Sequence, residues 1–225
     1  MSLKQYDFAY GRGRKTFSLD DSDVIATVRT EEFPVMADVK AGVLDAVRHP
    51  IGCDSLDNIV KPGQTVAFIC NDPTRVANSY DFMPVLVDEM NRLGIKDEDM
   101  KIVFSLGSHR DMTHEEMVAA VGEEVASRLK MYNSTCTVQD DFEYFGKTSR
   151  GTPVWINKHL CDVDHVILTG TIVHHYFSGY GGGRKAILPG CAAMETIRVN
   201  HSFMLDEHAG LGKTVGNPVY EDQME

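Results

Sequence analysis

Three short apolar runs, Val66–Cys70, Met100–Leu106 and His165–Gly170, restrict what this chain can fold into more than any other feature. Each is nearly continuous in hydrophobic residues rather than alternating, the pattern of a strand buried on both faces of a parallel sheet. Parallel neighbours need long crossover connections, and the intervals between the runs carry helical patterns. Pro73–Leu93 reads as a long helix with Pro73 tolerated in its first turn. Thr113-His-Glu-Glu116 has the residues of a capping box, so a helix is predicted to begin there. Ala192–Met204 is predicted as another helix, and so is Asp38–Arg48, with Val39, Val43, Leu44 and Val47 on one face. Lys15–Leu19 and Val24–Thr30 are strand-like, and Phe142–Gly146 with Pro153–Ile156 forms a predicted hairpin around Ser149-Arg-Gly-Thr152. The expected class is α/β: a Rossmann-like parallel sheet flanked by helices, with a small β-hairpin insertion.

A length of 225 residues suits one large domain, or a large domain with a small appendage, and 1–225 is taken as one α/β domain. The net charge of -11 argues against nucleic acid and against an anionic membrane as partners. No apolar run reaches the roughly 20 residues that a membrane span requires, and the N-terminus lacks signal-peptide character. Cys53, Cys70, Cys136, Cys161 and Cys191 are widely spaced and form no CxxC pair, which suggests neither a zinc knuckle nor a disulfide framework. A cytoplasmic location is expected. The tail, Gly210–Glu225, ends in an acidic, turn-rich stretch, so a longer protein of which this is the first part is also expected.

Ligands of open α/β sheets bind beyond the carboxyl ends of the strands, and each buried run is followed there by reactive residues. Asn71-Asp72-Pro-Thr-Arg75 follows the first. Asp72 could cap the next helix, whereas Arg75 in a first helical turn would oppose the helix dipole and suits a bidentate grip on a carboxylate. Gly107-Ser-His109-Arg110 follows the second. After the third comes His174-His175-Tyr-Phe-Ser-Gly-Tyr-Gly181-Gly182-Gly183-Arg184-Lys185, a glycine-rich loop ending in an amine. Two histidines on separate loops suit acid and base duty, because imidazole titrates near operating pH. Lys185 lacks the Gly before it and the Ser or Thr after it that a Walker loop needs, and the glycine spacing is not that of a dinucleotide fingerprint. His201 could meet Lys185 at one cofactor, the amine anchoring it and the imidazole ligating a metal.

Asn71-Asp-Pro-Thr-Arg75, Ser105-Leu-Gly-Ser-His109-Arg, the His175-to-Lys185 spacing and His201 together resemble the nickel-dependent lactate racemase family, over most of residues 8–221. The resemblance implies a racemase or epimerase of 2-hydroxy acids that uses a nickel pincer mononucleotide, a nicotinic-acid-derived group with two sulfur donors. It implies that Lys185 tethers this cofactor, with Gly181, Gly182, Gly183 and Arg184 around it, and that His201 ligates the nickel. His109 and His175 match the catalytic acid/base pair, and Arg75 and Asp72 the substrate-binding positions. The implied chemistry moves a hydride from the hydroxyacid Cα while a histidine takes the hydroxyl proton. Family members continue into a second domain that this chain lacks, and separate maturation proteins make the cofactor. A fragment alone would therefore be inactive or weak, and apo without those proteins. An alternative is an inactive α/β module that binds a mononucleotide or carboxylate. A metal-dependent hydrolase built on His174 and His175 is disfavoured because no carboxylate is spaced to complete its ligands.

Overall fold

The computed structural model describes residues 3–29, 31 and 33–225. The chain divides into two compact units, Met1–Ala37 and Asp38–Glu225. In the first, β1 (Leu3–Tyr10) pairs antiparallel with β2 (Gly13–Asp20), so Tyr6 faces Phe17 and Phe8 stacks on Phe17. The predicted Lys15–Leu19 strand lies inside β2. The predicted strand over Val24–Thr30 does not form across residues 24–29, which have no ladder partner; Thr30 lies outside the described residues.

The second unit begins with α1 (Val39–Arg48), capped by the Asp38 carboxylate accepting from the Ala41 amide, and the single turn α2 (Leu56–Ile59). Next come β3 (Val66–Asn71), α3 (Ser79–Arg92), β4 (Met100–Ser105), α4 (His114–Val121), α5 (Glu123–Arg128) and β5 (Lys130–Asn133). The hairpin strands β6 (Phe142–Lys147) and β7 (Pro153–Asn157) follow, then β8 (His165–Leu168), β9 (His174–His175) and β10 (Ser178–Tyr180). Last are α6 (Met194–Ser202), β11 (Gly210–Leu211) and α7 (Pro218–Met224). The main sheet is entirely parallel, in the order β5-β4-β3-β8. The three apolar runs are thus β3, β4 and β8, and the fold is the expected α/β class.

Along β3, alternate residues serve two different cores. Val66, Phe68 and Cys70 pack with Met83, Val87 and Met90 of α3 and with Met117 and Val121 of α4. Ala67 and Ile69 join Val103, Leu160, Ala186 and Cys191 on the opposite face. That face is covered by the turn that follows the glycine loop, which seats the chain around Lys185 directly against the sheet.

The capping box at α4 forms as predicted: the Thr113 hydroxyl accepts from the Glu116 amide, and the Glu116 carboxylate accepts from the Thr113 amide at 2.9 Å. The helix predicted from Pro73 starts only at Ser79. Residues 73–78 form an irregular loop, because the Asp72 carboxylate turns the chain back on Thr74 and Asn78 is left-handed at φ 51°. Arg75 therefore sits in a loop rather than in a helical turn, and Asp72 caps no helix.

Arg48 of α1 makes a two-pronged pair with Glu89 of α3, both bonds 2.8 Å, and Arg92 binds the same carboxylate. These bonds, Arg48 first, hold the buried Glu89 carboxyl down to about 2. A carboxylate whose folded pKa is depressed stabilises the fold fully above its unfolded value of 4.5 and loses that contribution as pH falls through about 2. Glu89→Gln is expected to cost about 2 kcal/mol at neutral pH, below a fully buried pair because both guanidinium groups keep some water. Urea denaturation at several pH values should show the difference between the two proteins shrinking across that acid window.

Candidate active site

At the carboxyl ends of β3, β4 and β8 lies a cavity of about 380 Å³. Its wall includes Asp72, Arg75, His109, His175, Lys185 and His201, so the residues singled out from four separate stretches of sequence meet in one place. Gly181 and Gly182 also line it; Gly183 and Arg184 do not. The Arg184 guanidinium instead donates to the Ser178 carbonyl at 2.6 Å and the Tyr180 carbonyl at 3.2 Å, and stacks 3.8 Å over the Tyr220 ring. Burial lowers its pKa. Arg184 is therefore a clasp within its own loop, and the expected place for it beside the cofactor is not where its guanidinium points.

The loops are tied to one another through backbone. The Gly107 amide donates to the Gly190 carbonyl at 3.0 Å, and the Gly190 amide to the Lys185 carbonyl at 3.1 Å, which joins the His109 loop to the lysine turn. A Cβ on Gly190 would fall 2.3 Å from the Ala186 carbonyl oxygen and 2.6 Å from the Ser105 Cβ, so only glycine permits this approach. The Thr171 hydroxyl donates to the Val76 carbonyl at 2.9 Å, pinning the Arg75 loop to the end of β8.

Asp72 is almost fully buried. One carboxylate oxygen accepts from the Thr74 amide at 2.7 Å and hydroxyl at 2.6 Å, and the other is hydrogen-bonded to His109 Nδ1. Both oxygens are engaged with protein, so the expected substrate contact of Asp72 gives way to a contact with a histidine. Fixing Nδ1 turns Nε2 of His109 outward. Arg75 is exposed and has no side-chain hydrogen bond or ion pair among the described residues, which leaves its fork open to an anion.

His175 lies on β9, where neighbouring residues point to opposite faces. His174 is correspondingly exposed and rests on Tyr180, while His175 faces the cavity. The Ser178 amide donates to His175 Nδ1 at 3.3 Å, and His175 Nε2 lies 3.1 Å from Lys185 Nζ. An amide can only donate, so Nδ1 accepts and the neutral ring carries its proton on Nε2. That N–H then faces the lysine, which can accept it only as the free amine. Burial, then Arg184 and Arg75, push Lys185 down to about 8, so the amine is mostly a cation at neutral pH and becomes the acceptor for that N–H as pH rises past about 8. Burial, then Lys185 and Arg75, push His175 down to about 4. His201 falls to about 4 through burial and then Lys185. Its Nδ1 is buried and has no well-formed hydrogen bond among the described residues, although the Ile197 backbone partly offsets the downward shift.

Phe177 escaped the sequence reading. It stands edge-on between the two rings, 4.5 Å from His175 and 5.1 Å from His201, with Lys185 Nζ 5.5 Å from its centroid. The signal available was a single apolar residue between polar neighbours in a loop that otherwise has no core to join.

An amine, three imidazoles and a guanidinium with no partner among the described residues share the strand ends of an α/β domain, an arrangement chemically able to bind small anions. The lactate racemase N-terminal domain matches residues 10–212, and the chain belongs to that family. It is 29% identical to the lactate racemase of Thermoanaerobacterium thermosaccharolyticum, over 99% of this chain and 53% of that one. With the lactate racemase of Lactiplantibacillus plantarum it shares 31% identity over 78% of this chain and 42% of the relative. The structure of the T. thermosaccharolyticum lactate racemase apoprotein superposes with a TM-score of 0.83 at 28% identity, over 98% of this chain and 52% of that one. A Thermotoga maritima protein at TM-score 0.65 and 21% identity shares the fold. The chain spans about half the length of the curated relatives it matches.

Replacing Lys185 with Met removes a cation that disfavours protonation of His175 while leaving the ring buried. The His175 titration, followed by ¹³C-histidine NMR, should move up from about 4 yet stay short of the ordinary 6.5. An unmoved midpoint would mean that the amine does not face the ring.

Proposed function

We propose that this chain is the cofactor-tethering and substrate-handling part of a racemase or epimerase of 2-hydroxy acids. One observation carries the reading: a guanidinium without a partner among the described residues, two differently held histidines and a depressed lysine amine share one cavity. Arg75 grips the substrate carboxylate. His109, oriented by Asp72, and His175, uncharged down to about 4, exchange the hydroxyl proton at Nε2. Asp72 acts through His109 rather than on substrate.

A nickel pincer mononucleotide fits the residues present. Among the described residues no cluster of three or more potential metal ligands exists, so a metal here needs a carrier with donors of its own. His201 is the residue that would ligate the nickel: its ring stays neutral, as a ligand must, and it lines the cavity beside Lys185. Lys185 would hold the carrier covalently through its free amine, with Gly181 and Gly182 leaving room for it. When bound, the group supplies a hydride acceptor for the substrate Cα, a hydrogen too weakly acidic beside a carboxylate for imidazole to remove as a proton. The maturation proteins that make such a group, and a 2-hydroxy acid of a kind still to be identified, are its partners. No helix among the described residues is long and apolar enough to cross a membrane. All five cysteines are free, which suits the reducing cytoplasm, the location proposed here.

The test is to express the full-length protein with the maturation enzymes and screen single-enantiomer 2-hydroxy acids for loss of optical purity. Intact-peptide mass spectrometry should find an added mass on Lys185, absent in Lys185→Ala. His109→Ala and His175→Ala should each lower kcat by about 10²–10⁴-fold with the adduct retained. Asp72→Asn should lower kcat with little change in KM, as expected for loss of histidine orientation. Binding that survives both histidine substitutions, without turnover of any acid by the loaded protein, would instead mark an inactive mononucleotide- or carboxylate-binding module.

A further inference from the structure

The family match ends at residue 212, yet the chain beyond it reaches the residues of the site. The α7 helix begins at Pro218 behind Asn217, whose side chain accepts from the Val219 amide and donates to the Phe177 carbonyl at 2.8 Å. Gln223, the penultimate residue of that helix, makes two bonds to two different elements. Its carbonyl oxygen accepts from the Ser178 hydroxyl at 2.8 Å, and its amide nitrogen donates to Asn200 Oδ1 at 3.1 Å. Ser178 is the residue whose backbone amide sets the His175 tautomer, and Asn200 is the residue before His201 on α6.

Asn200 is fully buried and satisfied on every side: its amide group donates to the Val219 carbonyl at 3.2 Å and to Asp222 at 2.8 Å. Asp222 in turn accepts from the hydroxyls of Thr148 and Thr152, at 2.6 and 2.8 Å, in the turn between β6 and β7. Each donor and acceptor has one consistent assignment, so none of these side chains can flip without stranding a buried polar atom.

We propose that α7 is a positioning element of this site, and that Gln223 and Ser178 hold the His175–Lys185 loop and the His201 helix in one frame. The chain of bonds is continuous: Asn200 to Gln223, Gln223 to Ser178, Ser178 to His175, and His175 to Lys185. Phe177, held by Asn217, fills the gap between the two imidazoles that the frame keeps apart. The proposal rests on the reading of His175, Lys185 and His201 as the working residues. Its test needs neither cofactor nor turnover.

Gln223→Glu keeps the shape of the side chain but replaces the donor to Asn200 Oδ1 with a carboxylate oxygen, so the bond becomes a repulsion. In full-length apoprotein with ¹³C,¹⁵N-labelled histidine, long-range ¹H–¹⁵N spectra at about pH 9, where the Lys185 amine is free to accept from Nε2, report the ring tautomers, and His175→Gln and His201→Gln assign the signals. Wild-type protein should show His175 as a single Nε2–H tautomer. Gln223→Glu should convert this to a tautomer mixture and displace the His201 ring signals at the same time, as the ring currents of Phe177 shift. Asn91→Ala, which breaks bonds to Ile95 and Asp97 away from the cavity, serves as a stability control and should change neither signal. If Gln223→Glu does not fold, Ser178→Ala cuts the same chain from the other end and is read in the same way. A folded Gln223→Glu or Ser178→Ala protein with wild-type histidine spectra overturns the proposal, even if it melts earlier. Absence of racemisation by the loaded enzyme would instead count against the proposed function and leave these spectra unaffected.

Discussion

Burial of the second face of the parallel sheet is the constraint on which the rest of this structure depends. One face is covered by α3 and α4 through a large apolar core. The other presents Ala67, Ile69 and Val103, and part of what closes over them is the turn holding Ala186 and Cys191. Closing that face removes apolar surface from water and, in the same act, carries Lys185 to the ends of the strands. The glycine at 190 is the steric condition for the approach, because any side chain there would collide with backbone and with Ser105. The lysine is desolvated because it lies on the edge of a core, and its lowered basicity follows from where the turn must sit.

The electrostatics of the cavity run against those of the whole molecule. The chain carries a net charge of -11, yet Asp72 is the single carboxylate lining a cavity that also holds Arg75 and Lys185. That carboxylate is taken up by Thr74 and His109. An anionic ligand entering there meets an open guanidinium and no competing acid, and three imidazoles of which two are kept uncharged by burial. Global charge speaks to solubility and to nonspecific partners; it does not describe a site assembled from a few buried groups.

Much of this was legible in sequence. The buried strands announced themselves as continuous apolar runs, and the capping box at Thr113 marked a helix start by local chemistry alone. His109, His175, Lys185, His201 and Arg75 stood out by position after strands or by motif. Local rules failed where a distant or competing partner decided. Pro73 permits a helix start, but Asp72 binds Thr74 and delays the helix to Ser79. β9, β10 and β11 are two or three residues each, too short to stand out by period, and β11 exists only through a parallel partner far back in the chain. Arg184 stands beside Lys185 in sequence, yet its side chain turns to Tyr220, thirty-six residues away.

The sequence by itself determined the α/β class, the strands that carry the site and most of the side chains in it, because hydrophobic period, capping residues and motif spacing are local properties. Only the tertiary structure decided what those side chains are bonded to. The pairing of Asp72 with His109 and the link from α7 through Gln223 to Ser178 join residues far apart in the chain, and the short Ser178–His175 bond forms only where β9 and β10 are held together. Protonation and orientation depend on burial and on hydrogen-bond partners, and neither exists until the sheet has closed both its faces.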